Sequence, residues 1–311
     1  MSNSFRVSSL AVLLATLSIA GYGQSGYTYT VFDFPGAGVQ GTAGTGINDA
    51  GEVVGYYYDS YVYMHGFLWA NGSMNTVDFP LSEMQTSLYG INNCGTIVGH
   101  IFYNNGTTIS RSFVLADGKY TLVNYPGSVF TLAGGINNYG IVAGSYELGD
   151  APNYYNFLWS GGQFDTISMP GKHNPVVMGI NDLGDLAGLY FDGPFPDQTN
   201  VGFVYIRKSN TFLTLSYPGG VNTTATGINN LEQVVGYYYA SPKSIAQAFV
   251  YANGVYTPVG PFANGAEAWG INNLGVIVGT LWQPDGGSLG FLATPASATR
   301  LDRPNSSSCS P

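Results

Sequence analysis

GINDAGEVVG, residues 46–55, reads as the end of one strand, a turn, and the start of the next. Asn-Asp-x-Gly suits a type I turn closed by a left-handed glycine, and the apolar run behind it is strand-like. The stretch returns five times: GINNCGTIVG from Gly90, GINNYGIVAG from Gly135, GINDLGDLAG from Gly179, GINNLEQVVG from Gly227 and GINNLGVIVG from Gly270. The spacings are 44, 45, 44, 48 and 43 residues. Such a period marks a supersecondary unit packed against copies of itself. One copy carries Glu232 where the others have the turn glycine. A left-handed conformation there costs about 1 kcal/mol, which reads as tolerated strain.

Each repeat holds four strand-like pieces. The first ends in Gly-Ile-Asn, and the second is the VVGYY-type run. The third is HGFLWA in repeat one, with RSFVLA, YNFLWS, GFVYI, QAFVY and LGFLA in the others. The fourth ends near proline, as in NTVDFP and YTLVNYPG. Four short strands in about 45 residues is the pattern of a propeller blade. The sixth repeat has only three, ending at Leu289–Pro295 before the segment ASATRLDRPNSSSCSP. YTYTVFDFPG, Tyr27–Gly36, matches the missing fourth. The expected fold is therefore all-β: a six-bladed β-propeller of four-stranded blades over residues 24–295, closed by the N-terminal strand completing the last blade. Closure would remove the open sheet edges that invite aggregation. A β-solenoid would not leave a spare strand at one end and lack one at the other.

Only 9% of the 311 residues are charged, against 44 glycines and 24 tyrosines, a balance that fits turn-rich β structure. The net charge is −9 and the nine basic residues are scattered, which argues against a nucleic-acid partner. Arg6, the apolar run Leu10–Ala20 and the small residues Ala20, Gly21 and Gly23 read as an export signal over residues 1–23. No later segment is long and apolar enough for a membrane helix, so no membrane insertion is expected. Residues 296–311 read as a Ser/Pro-rich disordered tail. Cys94 and Cys309 could pair in an oxidising compartment. Cys94, however, falls on a variable turn position and is read as unpaired.

Comparing the six copies separates packing from other uses. Two residues beyond the glycine of VVG stand Tyr57, Ile101, Tyr146, Tyr190, Tyr238 and Leu281. All are large, and they share a strand face with Val53 and its counterparts, which marks a face packed between blades. One residue beyond that glycine stand Tyr56, His100, Ser145, Leu189, Tyr237 and Thr280. Three beyond stand Tyr58, Phe102, Glu147, Phe191, Tyr239 and Trp282. These occupants vary. The connections after strands two and four, on one face of the molecule, also carry all the length variation, and Glu83, Asp150, Asp197 and Asp285 lie in them. Variable loops on a rigid scaffold are where binding usually resides. The candidate ligand-binding residues are Tyr56, Tyr58, Asp59, Tyr61, His100, Glu147, Asp192, Tyr237, Tyr239 and Trp282.

No catalytic, metal or cofactor motif accompanies them. His65, His100 and His173 have no zinc-site spacing, and there is no nucleophile elbow, phosphate loop or His-Glu-x-x-His. The Asn-Asp-x-Gly turns lack the further carboxylates of a calcium shell and read as turns. The lines Gly-Ile-Asn-Asn-x-Gly-x-Val-Val-Gly, followed by His65-Gly66-Phe67 or Gln247-Ala248-Phe249, resemble the extracellular HAF-repeat family of bacterial secreted proteins over about residues 27–295. The resemblance implies export and a repeat fold, and it supplies no catalytic residues. Aromatic rings beside acids suit sugars, where rings stack and carboxylates hold hydroxyls. The expected function is thus a secreted, monomeric, non-catalytic binding module for glycan. The alternatives are a scaffold for a cell-envelope protein and, less favoured, a polysaccharide hydrolase or lyase.

Overall fold

The computed structural model describes residues 26–81, 85–104, 108–149, 153–169, 174–193 and 198–296. The expected signal peptide lies outside the described residues, as do all of the tail but Ala296, and Glu83, Asp150, His173 and Asp197.

The described chain is all strand, with no helix among its regular elements. β1 (Tyr27–Phe32) precedes the first repeat. Repeat one supplies β2 (Thr42–Ile47), β3 (Val53–Tyr58), β4 (Met64–Ala70) and β5 (Ser73–Thr76). Repeat two supplies β6 (Gln85–Ile91), β7 (Ile97–Asn104), β8 (Thr108–Ala116) and β9 (Lys119–Val123). Repeat three gives β10 (Phe130–Ile136), β11 (Val142–Glu147), β12 (Tyr154–Ser160) and β13 (Gln163–Ile167). Repeat four gives β14 (Val176–Ile180), β15 (Leu186–Asp192), β16 (Thr199–Ile206) and β17 (Thr211–Leu215). Repeat five gives β18 (Asn222–Ile228), β19 (Val234–Tyr239), β20 (Ala246–Ala252) and β21 (Val255–Pro258). Repeat six ends the series with β22 (Ala266–Ile271), β23 (Ile277–Trp282) and β24 (Ser288–Pro295).

Each repeat is an antiparallel meander. Repeats two and three are joined into one eight-stranded sheet by a single parallel pairing, Phe130 with Ser110. In the last repeat, the place of a fourth strand is taken by β1, paired antiparallel to β24 from Tyr27–Pro295 to Phe32–Gly290. This is the pairing expected from YTYTVF.

The core lies between sheets. Six apolar clusters each bridge two successive repeats, including one in which Phe32 and Val278 of the last sheet meet Ile47, Val53 and Phe67 of the first. A phenylalanine of every third strand is fully buried: Phe67, Phe113, Phe157, Phe203, Phe249 and Phe291. Its ring sits against the glycine of VVG. A Cβ on Gly55, Gly99, Gly144, Gly188, Gly236 or Gly279 would fall 2.5–3.0 Å from that ring. The glycine is therefore a packing requirement of the neighbouring strand. Tyr57, Tyr146 and Tyr238 are likewise packing residues. Each stacks on an aromatic leaving the preceding sheet, at 3.8 Å on Phe34, 3.6 Å on Tyr125 and 3.5 Å on Tyr217.

The Gly-Ile-Asn asparagine does two jobs. Its Oδ1 accepts backbone N–H groups of its own turn, as Asn92 does from Cys94 and Thr96. Its Nδ2 donates to the same asparagine's carbonyl in the next repeat: Asn48 to Asn92, Asn92 to Asn137, Asn137 to Asn181, Asn181 to Asn229, Asn229 to Asn272, and Asn272 back to Asn48, all at 3.0–3.1 Å. The following residues repeat the pattern, each backbone N–H donating to the next Oδ1, from Asp49 through Asn93, Asn138, Asp182, Asn230 and Asn273 to Asp49. Asp49 and Asp182 each accept Nδ2–H from both flanking asparagines. These bonds engage the Asp49 and Asp182 carboxylates within the turns. The turn glycines are left-handed, and Glu232 takes the same conformation at φ 56°.

One reading is corrected. Cys94 is disulfide-bonded. It sits at an exposed turn position, and the chain's other cysteine, Cys309, lies outside the described residues.

Candidate functional site: one end of the central channel

The six first strands, β2, β6, β10, β14, β18 and β22, line a channel. All six carry a β-bulge just before the Gly-Ile-Asn glycine. A bulge inserts one unpaired residue and re-aims its side chain. Here it turns Thr45, Tyr89, Gly134, Met178, Thr226 and Trp269 into the channel. Thr45 and Thr226 are spent locally, each hydroxyl bonding a backbone carbonyl of its own repeat and one of the next.

The two GYYY copies, in repeats one and five, flank repeat six. Their outer tyrosines converge on it. Tyr56 and Tyr58 meet edge to face at 5.9 Å, and Tyr237 and Tyr239 repeat the arrangement at 6.0 Å. Tyr237 also lies 5.9 Å from the Trp269 ring. Glu267, on β22, stands within electrostatic reach of Tyr56, Tyr237 and Tyr239, and Tyr89 within reach of Tyr56 and Tyr237. Burial pushes the Tyr56, Tyr89 and Tyr237 phenols up. Burial also raises the Glu267 carboxyl from 4.5 to about 7, opposed by a hydrogen bond with the Trp269 side chain. A carboxyl in low dielectric resists ionisation because its charge loses water.

Of the other expected residues, His100 lines the inner end of the channel beside Tyr89 and Trp269, and the rest fall elsewhere. His100 is completely buried, stacked at 4.3 Å on Tyr89, with Nε2–H donating to the Ala133 carbonyl at 3.0 Å. Burial holds it down to about 4, so it is neutral and faces the next sheet, not solvent. Asp59 is committed to its own loop, accepting the backbone N–H groups of Tyr61 and Tyr63. That loop holds Tyr61 84% exposed and Val62 at φ 67°. Glu147 and Asp192 end the second strands of repeats three and four, across the ring from repeat six, and Trp282 is exposed at the end of β23. The structure thus unites Tyr56, Tyr58, Tyr237 and Tyr239, sets the buried His100 against Tyr89 at the inner wall of the same channel, and separates the rest.

Sequence reasoning missed Tyr89, Glu267 and Trp269. The signal was present, because the positions one and three before the Gly-Ile-Asn glycine differ in most copies. The bulge that makes the first of them a channel residue is not visible in an alternating pattern.

No protein-family model and no curated protein matches the chain. Among solved structures it is similar to an Aleuria aurantia lectin variant in complex with Fucα1-6GlcNAc, at 11% identity over 83% of this chain and 97% of that one, TM-score 0.49. AofleA from Arthrobotrys oligospora is 13% identical over 74% and 75%, TM-score 0.49. The β-propeller domain of the Trilobed protease from Pyrococcus furiosus is 9% identical over 86% and 92%, TM-score 0.48.

Proposed function

We propose that the chain is a closed six-bladed β-propeller, exported from the cell as its resemblance to HAF-repeat proteins implies, and that it works as a monomeric, non-catalytic binding module for carbohydrate. The cyclic asparagine bonds and the β1–β24 pairing support closure. The observation that carries the function is the gathering of the two GYYY copies around repeat six at one channel end. Tyr58 and Tyr239, half-buried, offer ring faces and hydroxyls at its mouth, the pairing that sugar recognition uses. Among the residues one and three before the Gly-Ile-Asn glycine in the six copies, Glu267 alone carries a carboxyl, so the paired carboxylates of a glycoside hydrolase find no support on those strands. A glycan array tests the reading: binding that disappears in the folded Tyr58→Ala/Tyr239→Ala variant supports it, and a blank array with folded protein sinks it.

A second reading, a scaffold for an envelope protein, is favoured by the exposed Tyr61-Val62-Tyr63 tip, since tyrosines are common interface anchors. A partner captured from envelope extract by the intact protein, and lost on Tyr61→Ser/Tyr63→Ser, would favour it over glycan.

A further inference from the structure

His100 poses a problem that ring stacking at the mouth does not solve. Its side chain is fully buried. Nε2–H is spent on the Ala133 carbonyl at 3.0 Å, and Nδ1 has no hydrogen-bond partner. With the proton held on Nε2 and the ring kept neutral by burial, Nδ1 is a bare acceptor. A buried polar atom is costly to leave unpaired. The ring borders a cavity of about 20 Å³, together with Tyr89, Leu132, Gly134, Met178 and Trp269. Gly134 leaves the gap. Of the six bulge residues it alone has no side chain, and it follows the Ala133 that anchors His100. A Cβ there would come 2.5 Å from the Val177 carbonyl oxygen, so the close approach of β14 requires the glycine. The cavity adjoins another of about 80 Å³ that shares the six bulge residues and is floored by the six Gly-Ile-Asn isoleucines. The same isoleucines border the asparagine-lined cavity beyond, so they divide the channel in two.

We propose that this chamber takes the acetamido group of a 2-acetamido sugar, its N–H donating to His100 Nδ1 and its methyl resting among Leu132, Met178 and Trp269, while the sugar ring stays at the mouth. This ligand class rests on the carbohydrate reading above. Trp269 joins the two places, since it lines the chamber and its ring lies 5.9 Å from Tyr237 of the mouth cluster.

The walls choose among sugar substituents. The chamber has room for a group of a few heavy atoms, not for a sugar ring. A hydroxyl would meet Nδ1 but leave the apolar walls uncovered. An O-acetyl group or a deoxy methyl would cover them but has no hydrogen to donate. Neither cavity is bordered by Lys, Arg, Asp or Glu, so a uronate carboxylate or a free ammonium would be buried without a counter-charge. The acetamide brings one N–H, one methyl and a carbonyl. The Thr45 and Thr226 hydroxyls already donate to backbone carbonyls, and Tyr89 supplies a phenolic hydroxyl for the acetamide oxygen.

The test is calorimetric titration of the whole protein with the methyl glycosides of N-acetylglucosamine and glucose, and of N-acetylgalactosamine and galactose. In at least one pair the acetamido sugar should bind about tenfold tighter than its parent hexose. His100→Phe keeps a ring against Tyr89 and removes the acceptor, and it should bring that pair to about equal affinity. Met178→Trp, which fills the chamber from a residue outside the buried core, should do the same and decides the matter if His100→Phe does not fold. Equal affinities within both pairs, or a preference that survives Met178→Trp, would overturn the proposal and leave the mouth reading standing. Array hits confined to glycans without acetamido sugars would overturn it too. No binding of any of the four glycosides beside a blank array would remove the mouth reading, and the acetamido ligand with it.

Discussion

Glu267→Gln should make the protein more stable, and by an amount that depends on pH. In the folded chain the carboxyl titrates near 7, and in the unfolded chain near 4.5. Between those values the folded state holds a proton that the unfolded state has released, so stability falls as pH rises. Below 4.5 both states are protonated and the effect vanishes. Above 7 it is complete. The 2.5-unit difference, at about 1.4 kcal/mol per unit, amounts to about 3 kcal/mol at pH 8 and roughly half that at pH 5.5. Glutamine has the same shape and no charge, and its oxygen can accept from the Trp269 indole. Urea unfolding of both proteins at half-unit steps from pH 5 to 8.5 would show it. The difference between them should open steadily from pH 5 and level off above 7. His100 contributes the opposite slope between about 4 and 6.5, but equally in both proteins, so it cancels. Two curves that run parallel across the range would refute the claim that Glu267 is desolvated beside Trp269.

Two further outcomes follow from the turns. Glu232→Gly should raise stability by about 0.5–1 kcal/mol, since relief of the left-handed strain at φ 56° exceeds the added chain entropy, and thermal unfolding would register the shift. Asn137→Ala removes acceptors for the Tyr139 and Ile141 N–H groups and the donor to Asn181, at a cost of about 2–4 kcal/mol in denaturant titration. The same change at the half-exposed Asn138 should cost less than half as much.

Much of this fold was legible because it is written six times. The period, the four strands and the match of YTYTVF to a missing strand all rest on comparing copies, and the structure pairs β1 with β24 as that comparison implied. The middle tyrosines of GYYY were separable as packing for the same reason. What stayed hidden depends on contacts between repeats. The Asn48–Asn92 bond joins residues 44 apart, and no local pattern distinguishes a turn asparagine from one that also ties two sheets. His100 stood at a variable position, yet it is swallowed by the next sheet, because variation there reflects the neighbour's bulk as well as a ligand. Glu267 and Trp269 lay in first strands that alternation treats as regular, and the bulge breaks that alternation.

All of the site depends on the ring being closed, since only then do repeats five, six and one face a common channel. The direct measurement is hydrogen–deuterium exchange of the Tyr27–Phe32 amides in the intact protein. Closure through β24 predicts exchange slowed by about a thousandfold or more relative to a free peptide, comparable with neighbouring strands. Exchange of this segment at the rate of an unstructured terminus, while β23 and β24 stay protected, would contradict it.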